Sequence, residues 1–150
     1  MTDPRSVTMD DEERDNFLEP GGTGVLSFAR GEESPFSLPV SYGYDVAEGH
    51  FYFRLAFGPD AGKAEVVEEG ASVSFVAYAD TDSGWRSVVA SGELSEISED
   101  ALDPEVGEAM QRIELPLVDV FERNPREVSF RFFRLDPEEL TGRKEAVAEY

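Results

Sequence analysis

The sequence predicts a mainly β domain: an antiparallel barrel, closed or nearly closed, carrying a few short helices. Two observations predict it. Segments that read as strands outnumber those that read as helices, and turn-bounded strands recur at intervals of about 8–12 residues. The chain has 150 residues, a length that fits one domain. No internal repeat or linker divides it, so residues 1–150 read as a single barrel with loose tails at 1–9 and 137–150.

Taken in order, Asp10 to Leu18 reads as a short helix. Its acids lie in the first turn, on the favourable side of the helix dipole, and Pro20-Gly21-Gly22 stops it. Thr23 to Arg30 is a strand, and Ser34 to Tyr44 is a second, reached through the Gly31-Glu32-Glu33 turn. Pro39 inside that second strand cannot donate to a ladder. It therefore belongs on an edge, at a bulge, or where a ligand takes the place of a neighbouring strand. His50 to Phe57 is a third strand, dense in aromatic residues. After the break at Gly58-Pro59-Asp60-Ala61-Gly62, Lys63 to Glu69 can form a short helix. Ala71 to Ala79 is a strongly apolar strand, and Gly84 to Ile97 a long one with a bend expected at Gly92. Asp103 to Ile113 and Leu117 to Arg123 read as helices, with Pro104 and Pro116 at their first turns. Arg126 to Leu135 alternates as a sixth strand, which Pro137 is expected to end.

Composition narrows the function. Forty per cent of the residues are apolar, enough for a core without staples, and there is no cysteine. Disulfides, thiolate metal sites and Cys nucleophiles are thereby excluded. No apolar run is long enough to span a membrane as a helix, and the polar, acidic N-terminus is unlike a signal peptide, so a cytoplasmic protein is expected. Thirty-three acidic residues against 13 basic ones give a formal charge of −20, which disfavours nucleic acid and anionic membranes as partners. The cations are 11 Arg and only 2 Lys, Lys63 and Lys144. Acid excess with so few lysines resembles a halophile's protein, in which salt screens a high surface charge.

With one histidine and no cysteine, neither a Ser-His-Asp nor a Cys-His arrangement can be built around more than His50. A His-rich zinc site is excluded on the same count, and Gly21-Gly22-Thr23-Gly24 lacks the end of a phosphate-binding Walker loop. His50 itself reads as an ordinary strand residue, with axial ligation of a haem as its alternative. A chain this poor in groups of middling pKa points to a cofactor for any hard chemistry. Arg54 near a strand end and Lys63 after a glycine-rich break suit an anion such as a phosphate. Lys63 would act as a point charge and Arg54 as a fork. The plain alternative pairs Lys63 with Glu65 or Asp60 on a solvated surface. In the strand that follows, Trp85, Ser87 and Val89 share one face, and Arg86 and Val88 the other. Trp85 there suits a core or a dimer interface.

These pieces together resemble the pyridoxamine 5′-phosphate oxidase-like flavin-binding split barrels, and within them the small branch that includes the nitroimidazole-resistance proteins. The stretches that carry the resemblance begin with Gly24-Val25-Leu26-Ser27-Phe28 and Pro35-Phe36-Ser37-Leu38-Pro39-Val40-Ser41-Tyr42. His50-Phe51-Tyr52-Phe53-Arg54, Gly62-Lys63-Ala64-Glu65 and the run from Trp85 to Leu94 continue it, and Leu135 to Arg143 resembles the family's ending. The resemblance implies a six-stranded antiparallel split barrel that dimerises with FMN in a cleft at the subunit interface. It implies that Ser37, Leu38, Pro39, Val40 and Ser41 run along the flavin ring and ribityl chain. Tyr52, Phe53 and Arg54 would approach the ribityl phosphate, and Lys63 would grip it. Trp85, Arg86, Ser87 and Val88 would reach the flavin from across the dimer. Many relatives have His in place of Arg54 and Arg in place of Gly62; the second change removes a phosphate cation, so phosphate affinity would be lower here or rest more on Arg54. The implied activity is a flavin-dependent oxidoreductase taking electrons from a reduced nicotinamide and passing them to a small acceptor. No catalytic side chain is assigned, and no metal. The alternatives are a flavin-binding or storage module without turnover, and the same fold holding deazaflavin F420 or haem.

Overall fold

The computed structural model describes residues 6–57, 71–97 and 129–146. These form β1 (Ser6–Thr8), α1 (Asp11–Leu18), β2 (Gly22–Phe28), β3 (Phe36–Asp45), β4 (His50–Phe57), β5 (Ala71–Thr81), β6 (Gly84–Ile97) and β7 (Ser129–Glu145). The expected helices over 63–69, 103–113 and 117–123 lie outside the described residues.

All ladders are antiparallel. β2, β3 and β4 form a meander, β5 then pairs with the far edge of β2, and β6 returns beside β5. β7 pairs with β4 on one side and β6 on the other, which closes six strands into a barrel. β1 adds a seventh strand on the last residues of β7. The expected mainly β, six-stranded antiparallel barrel is what the chain forms.

Strand alternation sorts the side chains. Leu26 and Phe28 of β2, Leu38, Val40, Tyr42 and Tyr44 of β3, and Phe51, Phe53 and Leu55 of β4 point inward and are buried. Val73, Phe75 and Ala77 of β5, Val88, Ala90 and Leu94 of β6, and Phe133 and Leu135 of β7 complete the core. Burying each large apolar side chain stabilises the fold by roughly 1.5–3 kcal/mol relative to exposure. Phe75 is the hub, with its ring 5.1 Å from Tyr42, 5.4 Å from Phe51 and 4.9 Å from Phe53. Gly24 makes room for it: a Cβ there would lie 2.5 Å from the Val76 carbonyl and 2.6 Å from the Phe75 ring.

Both expected tails are corrected. Ser6–Thr8 is a strand paired with Arg143–Glu145, and β7 runs on through Pro137. The register jumps from Ser91↔Glu139 to Gly92↔Pro137, so Glu138 is the extra residue of a β-bulge. A proline that would break a regular ladder is tolerated there. Gly92 faces the bulge: a Cβ would come within 2.9 Å of the Asp136 carbonyl oxygen.

α1 covers one barrel end and seats Leu18 in the core. Asp10 caps it, accepting from the Glu13 amide at 2.8 Å, while Glu13 reaches back in a capping box. Glu13 is also gripped from the barrel, because Lys144 donates to its Oε2 and Arg86 Nη2 lies 3.9 Å away. The lysine ammonium beside it holds the Glu13 carboxyl below its usual range. Tyr44 Oη donates to Asp15 at 3.4 Å, a second tie between helix and barrel.

Candidate functional site

The split in the barrel lies between β3 and β4. Their ladder runs from Asp45↔His50 to Ser41↔Arg54 and stops there. Beyond that rung, Phe36 to Val40 remain paired with β2, whereas Leu55 to Phe57 remain paired with β7. Two halves of the sheet therefore part at Ser41 and Arg54. Among the described residues, the only ladder partner of Pro39 is Val25 of β2. The backbone edge along Phe36 to Val40 is the kind a ligand can occupy in place of a strand.

Alternation assigns each expected site residue to a face. Ser37, Pro39 and Ser41 lie on the outer face of β3, while Leu38 and Val40 point into the core. Ser41 is buried although it faces outward. On β4, Phe53 belongs to the core, whereas Tyr52 and Arg54 lie on the same outer face as Ser41. Tyr52 is only 1% exposed there, opposite Gly43. Arg54 is half-buried and stands directly across from Ser41 at the last rung. The structure thus brings Ser37, Pro39, Ser41, Tyr52 and Arg54 to one wall. Lys63 lies outside the described residues.

The segment from Trp85 to Val88 is elsewhere. β6 is three strands from β3, roughly 14 Å at about 4.8 Å per strand. Trp85 and Ser87 face outward, whereas Val88 is core. Arg86 also turns inward, beneath α1 and beside Lys144, and its Nε is buried with no hydrogen-bond partner among the described residues. Within one chain, Arg86 and Val88 serve the barrel interior and its helical cover. Only Trp85 and Ser87 present themselves to a ligand or a partner.

An uncharged surface joins the two groups. The register aligns Ser37, Ser27, Ser74 and Ser91 in one row across β3, β2, β5 and β6. Pro39, Val25, Val76 and Val89 make the next row. The Ser27 and Ser37 hydroxyls are 2.7 Å apart. Beyond these rows come Tyr78, which is 60% exposed, and Trp85, 51% exposed. Their rings stack 6.2 Å apart at 28°. No side chain of the two rows carries a charge, in a protein with a net charge of −20. Sequence reasoning missed Tyr78. Its signal was its place on the polar side of β5, where Ser72 and Ser74 alternate with buried Val73 and Phe75.

His50, the only histidine, sits at the other end of the β3–β4 ladder from the split, with Nε2 3.7 Å from Asp136 Oδ1. Among the described residues no group of three or more His, Asp or Glu side chains is placed to hold a metal ion. No helix among them is long and apolar enough to cross a membrane.

Comparisons with known proteins follow the fold. A Corynebacterium glutamicum protein named after pyridoxamine 5′-phosphate oxidase superposes with a TM-score of 0.66 at 20% identity, over 100% of both chains. The FAD binding protein from Mycobacterium smegmatis gives 0.66 at 16% identity, over 95% of this chain and 100% of its own. A Bacteroides thetaiotaomicron protein named for 5-nitroimidazole antibiotic resistance gives 0.53 at 14%, over 92% and 86%. At these identities the likeness is one of fold. No curated protein matches the sequence. The sequence pattern of the family described as pyridoxamine 5′-phosphate oxidase matches residues 10–144, nearly the whole chain. The chain belongs to the pyridoxamine 5′-phosphate oxidase family.

Proposed function

We propose that the protein is a homodimeric FMN-binding protein that works as a flavin-dependent oxidoreductase on a small acceptor, with a reduced nicotinamide as donor. The observation that carries this reading is the parting of β3 and β4 at Ser41 and Arg54, beyond which the Pro39 edge has no second strand beside it among the described residues. The residues present suit a flavin. A backbone edge and the hydroxyls of Ser37 and Ser41 can meet the polar rim of the ring and the ribityl chain, and Pro39 and Val25 offer an apolar wall. Arg54 at the split suits the phosphate, with Lys63 as its partner cation. A bound flavin supplies the hydride and electron transfer; the chain supplies binding and electrostatics. No side chain is assigned a proton-transfer role.

The dimer is supported by the uncharged outer face. Water-exposed apolar surface of this kind marks a contact site, and self-repulsion between two chains of charge −20 is smallest where the surface is neutral. The acid excess and scarcity of lysine suit a salt-rich cytoplasm, where the unfolding midpoint should rise steadily with KCl.

The test is the cofactor itself. Protein purified in high salt should be yellow, release FMN on denaturation and bleach when a reduced nicotinamide is added under nitrogen. Mass spectrometry of the released molecule separates FMN from FAD, which the similar M. smegmatis protein is named for binding. A flavin that no nicotinamide reduces would make this a storage module. Deazaflavin or Soret bands would replace the flavin altogether, and no chromophore together with no uptake of FMN would refute the reading.

A further inference from the structure

We propose that Ser27 is a positioning residue for the flavin berth, its hydroxyl fixing the direction of the Ser37 hydroxyl at the β3 edge. This rests on the flavin reading above. Ser27 and Ser37 face each other across the β2–β3 ladder, and their oxygens are 2.7 Å apart, the distance of a good O–H···O bond. Both lie on the outer face, since their chain neighbours Leu26, Phe28 and Leu38 belong to the core. The two strands are not equally supported at this rung. β2 is paired on both sides, Ser27 standing opposite Ser37 on β3 and Ser74 on β5. Before Ser41, β3 has β2 as its only strand partner among the described residues. Ser37 therefore stands on the open edge with support from one side. Ser27 supplies that support twice, through the ladder and through the hydroxyl.

A serine side chain left to itself turns among three staggered positions. Ser37 is exposed, so a ligand binding there would have to remove that freedom. The bond to Ser27 removes it beforehand, which lowers the cost of ordering the site on binding. A hydroxyl offers one proton and two lone pairs. Ser37 spends one of these on Ser27 and keeps the others for a ligand. The adjoining row, Pro39, Val25 and Val76, offers no polar side-chain group, so Ser27 is the partner that decides where Ser37 points.

The test is a double-mutant cycle on FMN affinity. FMN is titrated into the flavin-free full-length chain, and binding is read from the quenching of its fluorescence. Ser27→Ala should weaken binding roughly two- to tenfold, the worth of one hydrogen bond. Ser37→Ala should weaken it at least as much. Because Ser27 acts through Ser37, adding Ser27→Ala to Ser37→Ala should cost nothing further. Ser27→Thr keeps the hydroxyl on a residue suited to a strand and should bind nearly as the parent does. Parent affinity in Ser27→Ala overturns the proposal, as does a Ser27→Thr as weak as Ser27→Ala. A loss of equal size with and without the Ser37 hydroxyl assigns Ser27 to the fold or to assembly and also overturns it. Ser37→Ala without effect overturns it too, and leaves FMN to the rest of the β3 edge. A parent that takes up no FMN refutes the flavin reading itself, and the role of Ser27 with it.

Discussion

Replacing Phe75 by alanine tests how the barrel holds its shape. Phe75 has no exposed surface, and its ring meets Tyr42 and Phe53 edge-on and Phe51 at a tilt, all within 5.4 Å. Removing a buried phenyl ring destabilises by about 3–5 kcal/mol, through lost transfer energy and an unfilled cavity. Three specific ring pairs, each worth roughly 0.5–1.5 kcal/mol, place this site toward the upper part of that range. The neighbours cannot collapse inward, because Tyr42, Phe51 and Phe53 are fixed by ladders on β3 and β4. For a chain of this length about 4 kcal/mol should lower Tm by roughly 8–16 °C. Urea unfolding followed by near-ultraviolet circular dichroism gives the free energy, and a thermal scan gives the shift. A loss below about 1 kcal/mol would mean that the ring cluster is not the centre of the core, and the packing argument would fail.

Three further outcomes follow from named contacts. Gly92→Ala should destabilise by about 1–3 kcal/mol, because its Cβ would press on the Asp136 carbonyl and the Leu135 side chain at the bulge; chemical denaturation measures it. Burial pushes the Tyr42 hydroxyl up to about 12, above its unfolded value of about 10. Its contribution is complete below pH 10 and is lost as pH rises toward 12, a fall of up to roughly 2–3 kcal/mol that Tyr42→Phe should remove from a stability-against-pH curve. The Glu13 carboxyl is shifted the other way, below 4.5, first by the hydrogen bond from Lys144. Its stabilisation is present at neutral pH and lost as pH falls through the lowered value, so Glu13→Gln should flatten the acid limb of the same curve.

Much of the barrel was legible in the sequence because its strands are bounded by turn residues. His50–Phe57 and Gly84–Ile97 were bounded to the residue, each preceded by a glycine or an acidic turn. α1 was legible from its acids and the stop at Pro20. What failed was non-local. Ser6–Thr8 has no strand signal of its own and is a strand only because β7 pairs with it. Pro137 reads as a terminator, yet a bulge opposite Gly92 absorbs it, and that requires knowing that β6 lies alongside. Lys144 was set aside with a tail, although it is the cation that anchors the cap helix.

The site divides in the same way. Pro39 announced an interrupted ladder, and the register locates that interruption at Ser41 and Arg54. Alternation already separated Trp85 and Ser87 from Arg86 and Val88, and the structure shows what the inward pair does: Val88 fills the core and Arg86 flanks Glu13. Tyr78 belongs to no motif, and its one local signal is a large ring on the polar side of β5, where Ser72 and Ser74 alternate with buried Val73 and Phe75. Only the position of Trp85 beside it gives it a meaning.

The claim on which the function turns is that the edge of β3 near Pro39 is a berth for a flavin. Amide hydrogen exchange along the chain, with and without FMN, tests it most directly. Bound FMN should slow exchange at Ser37, Leu38, Val40 and Ser41 and around Arg54, more than anywhere in the β4–β7 ladder. Slowing confined to other strands, with the β3 edge exchanging as before, would contradict the account.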